Sequence, residues 1–225
     1  MIKRAIDIVV SSLALVVLSP VLAAIAIAVR LTSPGPALYR GVRVGRSGRD
    51  FRILKFRSMV VDAESRGGSA TANDDPRVTP IGRFLRRYKL DELPQFINVL
   101  VGDMGLVGPR PEVRKYVDTY TVDQRRILQI RPGITDWATI WNVDEGSVLA
   151  GCADPEAEYE RLVRPAKLAL QLRYLETQGT LTDAKILCFT LVKLVRKRWV
   201  PKELAGYGTA LNPKQDALVG NRDSA

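Results

Sequence analysis

The stretch IDIVVSSLALVVLSPVLAAIAIAV, residues 6–29, is apolar apart from Asp7 and three serines, and Pro20 sits near its middle. As one helix it would run about 36 Å, enough to cross the ~30 Å hydrocarbon layer of a bilayer. Pro20 has no N–H to offer the Val16 carbonyl, and its ring crowds that turn. Interrupted at Ser19-Pro20, the stretch would leave arms of about 21 and 15 Å, and neither crosses alone. The Ser19 hydroxyl is expected to bond back to the Leu15 carbonyl, satisfying backbone that a membrane cannot hydrate. Lys3 and Arg4 precede the run, Arg30 ends it, and Arg40, Arg43, Arg46 and Arg49 follow. That charge places both ends on the cytoplasmic side. A straight span cannot satisfy it and a re-entrant helix can, although a proline-kinked spanning helix is the competing reading. A secretory signal would carry a shorter apolar core and a small-residue cleavage site, which is not evident here.

The remaining composition suits one ordinary globular domain. The chain has 225 residues and a net charge of +10, with 34 Lys and Arg against 24 Asp and Glu. Such a balance points to an anionic partner, and beside an apolar N-terminus lipid and lipid phosphate come before nucleic acid. The basic residues form no recognised nucleic-acid-reading motif. There is no histidine, which excludes Ser-His-Asp and Cys-His mechanisms. Two cysteines, Cys152 and Cys188, are too few for a disulfide framework and lack zinc spacing.

Beyond Pro34-Gly35-Pro36, β-rich runs at 37–44 and 51–59 flank the turn-like GRSGRD and read as a hairpin. Basic residues recur along it at every third position from Arg40 to Lys55, and Arg57 follows. A spacing of three does not fit one strand face. Most of the row is expected to lie near anionic headgroups, with Lys55 or Arg57 reserved for substrate phosphate. Residues 62–79 read as a mobile polar loop. Helices are expected at 80–88, 90–101, 113–130, 154–178 and 183–200, with turn and strand at 131–142. The last helix clusters Lys193, Arg196, Lys197 and Arg198 late. It either lies on a membrane surface or packs on the core with cations suiting its dipole. The tail from 205 onward is polar.

The densest chemistry is in RRYKLDELPQFINVLVGDMGLVGPRPE, residues 86–112. Asp91 and Glu92 precede Pro94, a residue common in the first helical turn. At a helix start, with Arg86, Arg87 and Lys89 nearby, these carboxylates are expected to stay ionised. An ionised aspartate can attack phosphorus, and a neighbouring glutamate can hold Mg²⁺ together with substrate phosphate. Arg110, set between two prolines, presents a planar fork suited to phosphate. The bland reading of the same residues is a helix cap and a surface ion pair.

Four motifs decide between these readings. KRAIDIVVSSLALVVLSP, ILKFRSM, LDELPQFINVLVGDMGLVGPRPE and RPGITDWA, in this order, closely resemble the bacterial sugar transferase family, the monotopic phosphoglycosyl transferases. The resemblance implies a small α/β cytoplasmic domain on an N-terminal re-entrant membrane helix broken at Ser19-Pro20, with peripheral amphipathic helices. It implies transfer of a sugar 1-phosphate from a UDP-sugar to polyprenol phosphate, with release of UMP, as the first membrane step of glycoconjugate or exopolysaccharide assembly. Asp91 would be the nucleophile, Glu92 would join Asp91 at Mg²⁺, and Arg110 would contact phosphate, with Arg86, Lys55 and Arg57 as further phosphate ligands. The expected division is 1–30 membrane helix, 31–204 catalytic domain and 205–225 tail, the minimal form of the family. The sequence departs from the family at Gly105, where many relatives have Ser, and at Asp136 and 140–142, which replace part of a TGWAQVNG-like run. The second departure bears on which sugar is used, and not on the reaction class. A non-catalytic basic scaffold on the membrane is the alternative from another functional class.

Overall fold

The computed structural model describes residues 2–142, 144–196 and 199–208. In chain order the elements are α1 (Ile2–Thr32), β1 (Leu38–Val44), β2 (Asp50–Phe56), α2 (Pro80–Arg87), α3 (Gln95–Val101), β3 (Gly105–Val107), α4 (Arg114–Val117), β4 (Gly133–Thr135), α5 (Trp137–Trp141), α6 (Glu145–Leu149), α7 (Pro155–Glu158), α8 (Arg164–Thr177) and α9 (Thr180–Val195). It is a mixed helix and sheet fold with two small two-stranded sheets.

Helix α1 runs unbroken through Pro20, so the two separate arms expected from the sequence are replaced by one helix with a local defect. The Ser19 hydroxyl donates to Val16 O at 2.8 Å, and not to Leu15 as expected. Val16 is the residue whose carbonyl loses its N–H to proline, so the Ser-Pro pair creates and fills the same vacancy. Among the described residues α1 is the helix long and apolar enough to cross a membrane. Its middle is bare: Leu13, Val16 and Val17 are all more than half exposed.

Both ends of α1 are tied to the rest of the chain. Near the start, Lys3 Nζ donates to Val107 O (2.9 Å) and pairs with Asp183. Arg4 donates to Val99 O and Leu100 O, covering the last carbonyls of α3 where a cation is favoured. Asp7 accepts from Leu106 N at 3.1 Å. At the other end Ile25 and Val29 are buried with Phe56 and Leu85. Arg57, 6% exposed, gives its guanidinium to Ser33 O, Ser33 Oγ and Pro34 O and so caps α1.

The hairpin forms as expected, with Leu38 opposite Phe56 and Val44 opposite Asp50. Strand alternation puts Arg40 and Arg52 on the exposed face and turns Lys55 inward. Buried Asn98 of α3 locks onto this hairpin, accepting from Leu54 N and donating to Arg52 O, both at 2.8 Å. Strands β3 and β4 pair in parallel, Gly105 with Gly133 and Val107 with Thr135. The chains cross so closely that a Cβ on Gly133 would lie 2.1 Å from Gly108 N, which is why glycine stands there. The main core gathers Ile53, Met104, Leu106, Trp137, Leu170 and Ile186.

Several expected elements differ. Residues 113–130 hold only α4 and a 3₁₀ segment, Gln124–Gln129, because Thr119 and Thr121 side chains bond nearby groups and end the helix. The long helix at 154–178 is split by a wide π turn, Tyr159–Val163, just ahead of Pro165, whose ring and missing N–H forbid a regular turn. The helix at 90–101 becomes a 3₁₀ turn, Leu90–Glu92, followed by α3. The segment 131–142 is strand and then helix, since Asp136 caps α5 by accepting from Thr139 N at 2.7 Å. Loop 62–79 is anchored: Ala70 N bonds Glu156, Asn73 N bonds Gly146 O, and Arg77 reaches Asp75, Ala63 O and Gly68 O. Lys197, Arg198 and the tail beyond 208 lie outside the described residues.

Replacing Arg57 by Met strands the carbonyls that end α1. Chemical denaturation in detergent should then show a loss of about 2–3 kcal/mol. Stability within 0.5 kcal/mol of the parent, a value on the order of surface substitutions, would contradict the capping role.

Candidate active site

The site begins with one strained residue. Lys89 follows α2 in the left-handed conformation (φ 58°, ψ 20°), an arrangement a lysine adopts only at a cost of about 1 kcal/mol. It turns the chain sharply, so that Asp91 and Glu92 point into the space between the hairpin, α3 and the loop after β3. This 3₁₀ turn, and not the first turn of a regular helix, carries the carboxylate pair.

Glu92 lies between two cations from distant parts of the chain. Lys55 Nζ from β2 is 2.8 Å from Oε1. Arg110 donates from Nη1 to Oε2 at 3.0 Å and from Nη2 to Oε1, a bidentate fork. Burial alone would raise the Glu92 pKa, yet Arg110 and Lys55 hold it well below the ordinary carboxylate value. Burial pulls the Lys55 pKa down, and Glu92 opposes this. One carboxylate against two cations leaves the clamp with a net positive charge facing the cleft.

Asp91 is shifted in the opposite direction. It is 6% exposed, and its Oδ1 is buried without a partner among the described residues. Burial first and the Glu92 charge second raise its pKa above 3.8, outweighing Lys55, Lys89 and Arg86. The shift thus runs toward the neutral form, against the direction expected from the neighbouring cations alone. Desolvation, invisible in the local sequence, is the larger influence.

Arg110 is held from behind. Its N–H donates to Asp136 Oδ2 (3.2 Å), and its carbonyl accepts from Gln171 Nε2 (3.3 Å). Fully buried Asp136 thus orients the arginine while capping α5. The sequence singled it out only as a departure from the family pattern. Arg86 sits half-buried on α2, within electrostatic reach of Asp91. Arg57 is committed to α1, and Ser19 and Pro20 lie in the exposed middle of that helix. Four of the sequence candidates therefore meet (Asp91, Glu92, Lys55 and Arg110), and Arg86 stands beside them. Sequence reasoning named Lys89 only as a nearby cation, not as the residue that turns the chain, and it missed buried Lys167, which pairs with Glu112 and Glu145. Nothing in the local pattern around Lys167 marks it. Glu112, next to the GPRP run, was the available hint.

No group of three carboxylate, thiol or imidazole side chains able to cage a metal occurs among the described residues. Both Glu92 oxygens already bond cations, so Asp91 is the carboxylate of the pair left for an ion. Mg²⁺ is commonly held by one or two carboxylates together with substrate phosphates and water, and this donor set fits that mode rather than a closed protein cage. The cleft has a volume of 2140 Å³ and is lined by Lys55, Arg86, Asp91, Glu92, Arg110 and Asn142 among others.

The family profile described as bacterial sugar transferase matches residues 1–197. The chain belongs to the bacterial sugar transferase family. It is 40% identical over 202 residues to the UDP-glucose:undecaprenyl-phosphate glucose-1-phosphate transferase of Escherichia coli K12, which covers 86% of this chain and 40% of that protein. It is 45% identical over 144 residues to a UDP-N-acetylgalactosamine-undecaprenyl-phosphate N-acetylgalactosaminephosphotransferase of Aeromonas hydrophila, covering 62% and 34% of the two chains. It is 36% identical over 196 residues to a glucose-1-phosphate transferase of Caulobacter vibrioides with the same name as the E. coli protein, covering 86% and 69%. The chain thus spans well under half the length of the first two relatives.

The raised Asp91 pKa has a consequence for stability. The native state keeps a proton that the unfolded chain has released, so stability falls as pH rises from 3.8 through the raised value and stays lower at neutral pH. Asp91→Asn removes that loss. It should melt at or above the parent temperature at pH 7, with the gain shrinking toward pH 4. A lower melting temperature at pH 7 would contradict the burial penalty. Glu92→Gln has the opposite sign, because it leaves Lys55 and Arg110 facing each other. Denaturation should show a loss of about 3 kcal/mol, and an unchanged midpoint would mean the clamp contributes nothing.

Proposed function

We propose that this chain transfers a sugar 1-phosphate from a UDP-sugar to polyprenol phosphate at the cytoplasmic face of a bacterial membrane, releasing UMP. The observation that carries the reading is a buried aspartate with an unpaired oxygen beside a two-cation clamp. The relatives named for this reaction support it.

In the first step an Asp91 carboxylate oxygen attacks the sugar-bearing β-phosphorus. The bond from that phosphorus to the bridging oxygen breaks, and UMP leaves with the electron pair. An acyl phosphosugar remains on Asp91. In the second step a phosphate oxygen of polyprenol phosphate attacks the same phosphorus and expels the Asp91 carboxylate. The product is a polyprenol diphosphate sugar. Splitting one difficult displacement into two is the usual gain of covalent catalysis. Burial serves this role, because a desolvated carboxylate of raised pKa is more basic and so a stronger nucleophile once ionised.

Lys55 and Arg110, already positioned by Glu92, would lie against the non-bridging phosphate oxygens where charge develops. Arg86 is placed to meet the same diphosphate. Mg²⁺ held by Asp91, with Glu92 at hand, would neutralise diphosphate charge. Arg57 is left out of the phosphate set because its donors serve α1.

The same reading accounts for α1. One substrate is water-soluble and the other lies in the bilayer, so the site must sit at the membrane surface. Lys3, Arg4 and Asp7 at one end of α1 and Val29 and Ser33 at the other are all bonded or packed to one folded unit. A helix tied at both ends in this way favours re-entrant membrane insertion over spanning.

Three measurements test the proposal. Purified protein with Mg²⁺ and a UDP-sugar, without acceptor, should release UMP in a burst equal to the enzyme present, and Asp91→Asn should release none. No burst with any UDP-sugar, together with salt-sensitive liposome binding, would favour the non-catalytic scaffold. The burst rate should fall as pH drops through the Asp91 pKa, so its acid limb should lie above 3.8; a limb at or below that value would contradict the burial of the nucleophile. Cysteine-accessibility labelling should find residue 2 and the hairpin on the same side of the membrane. Replacing Ser19 and Pro20 by Ala and Leu should shift α1 toward spanning, and unchanged labelling would show that the pair does not set topology.

A further inference from the structure

One wall of the cleft has no part in the chemistry proposed above. It is built from the loop at 69–75 and the segment around α6. Asn73 Nδ2 donates to Asp144 Oδ1 at 3.0 Å, Asn73 N to Gly146 O at 2.9 Å, and Gly151 N to Asp74 Oδ2 at 3.0 Å. The fit at Gly146 is tight, since a Cβ there would stand 2.2 Å from Asn73 Oδ1. These bonds fasten two irregular segments into one surface.

Two polar groups on this wall are not used up by it. Asn142 lines the cleft, and its Nδ2 is buried without a partner among the described residues. A buried amide donor left unpaired is destabilising, and a ligand acceptor would remove that cost. Glu145 lines the same cleft and is half-buried. Lys167 bonds its Oε1 at 3.3 Å, and Arg110 and Lys89 lie within electrostatic reach, which places its carboxylate beside the catalytic cluster. Lys167 itself is anchored by Glu112 and Tyr159, so Glu145 is held without being fully neutralised.

An amide donor and an ionised acceptor, fixed on a rigid wall next to a phosphate-transfer centre, suit neither the phosphates nor a lipid tail. Glu145 would repel a phosphate. A hexose presents what they match: hydroxyls that donate to a carboxylate, and ring or substituent oxygens that accept from an amide. We propose that Asn142 and Glu145 read the hydroxyl pattern of the transferred sugar and select among UDP-hexoses. This inference rests on the reaction proposed above. Glu145 accepts from ring hydroxyls through the oxygen that Lys167 leaves open, and Asn142 donates to an oxygen on the same ring. Sites that hydrogen-bond a substrate hydroxyl discriminate strongly against an analogue lacking it, because the protein group is then left buried and unpaired.

The test uses the full-length protein in detergent with UDP-glucose, UDP-galactose, UDP-N-acetylglucosamine and UDP-N-acetylgalactosamine. The parent is first assayed for UMP release with each; release from none of them counts against the proposed reaction, and this inference falls with it, whereas release with unaltered selectivity in the variants overturns this inference alone. With the preferred donor identified, Asn142→Ala and the isosteric Glu145→Gln should each lower its kcat/KM about tenfold or more and compress the ratio between the two 4-epimers by a similar factor. Inhibition by UMP, which carries no sugar, should stay within about twofold of the parent and so also report an intact fold. Equal losses for all four donors, or a weakening of UMP inhibition in parallel, would overturn the assignment, since the residues would then serve the nucleotide or the fold. Unchanged kcat/KM for every donor would overturn it as well.

Discussion

The rest of the site depends on the clamp in which Glu92 lies between Lys55 and Arg110. Each member comes from a different element: the inner face of the hairpin, the turn before α3, and the loop after β3. Buried charges are tolerated only when paired and hydrogen-bonded, so this carboxylate can stay ionised only if all three elements are in register. Asn98, the Gly108–Gly133 crossing and Asp136 serve that register. The clamp also explains why two adjacent acids behave differently. Lys55 and Arg110 bond Glu92 directly, so at Asp91 burial outweighs what the more distant pull of Lys55, Lys89 and Arg86 returns. A carboxyl arranged in this way weakens the fold, as perturbed groups at functional sites commonly do.

Helix α1 follows a second constraint of the same kind. Its apolar middle is largely exposed among the described residues, whereas its ends are held by buried or half-buried polar contacts. Arg57 is instructive here. Its place after the basic row suggested phosphate binding, but Arg57 lies just past the end of β2, where the end of α1 offers it backbone carbonyls. A chain end rich in unpaired carbonyls is as strong an attractant for a guanidinium as a phosphate is, and it is always present.

Some of this was legible from residue order alone. The apolar run, the hairpin, the carboxylate pair and the GPRP arginine each have a local signature, and the four motifs together pointed to the family that the profile match shows. The helical segments were read less well. Residues 113–130 have helical composition but contain threonines that bond backbone groups three residues away, and Pro165 forced a wide turn that periodicity does not reveal. The loop at 62–79 looked mobile because its anchors, Glu156 and Gly146, lie some 70 or more residues away.

What the sequence determined by itself was the chemistry available: no histidine, an apolar helix with a serine-proline defect, two adjacent acids and a rigidly presented arginine. Residue types and short-range geometry are enough for those, because they depend on side-chain chemistry and on the backbone rules for proline. Only the tertiary structure decided which acid is clamped and which is buried bare, that Lys55 belongs to the site and Arg57 to the helix end, and that Asp136, Lys167 and Glu145 stand behind or beside Arg110. Those assignments depend on desolvation and on charges brought together from distant positions. Both quantities exist only once the chain has closed around them.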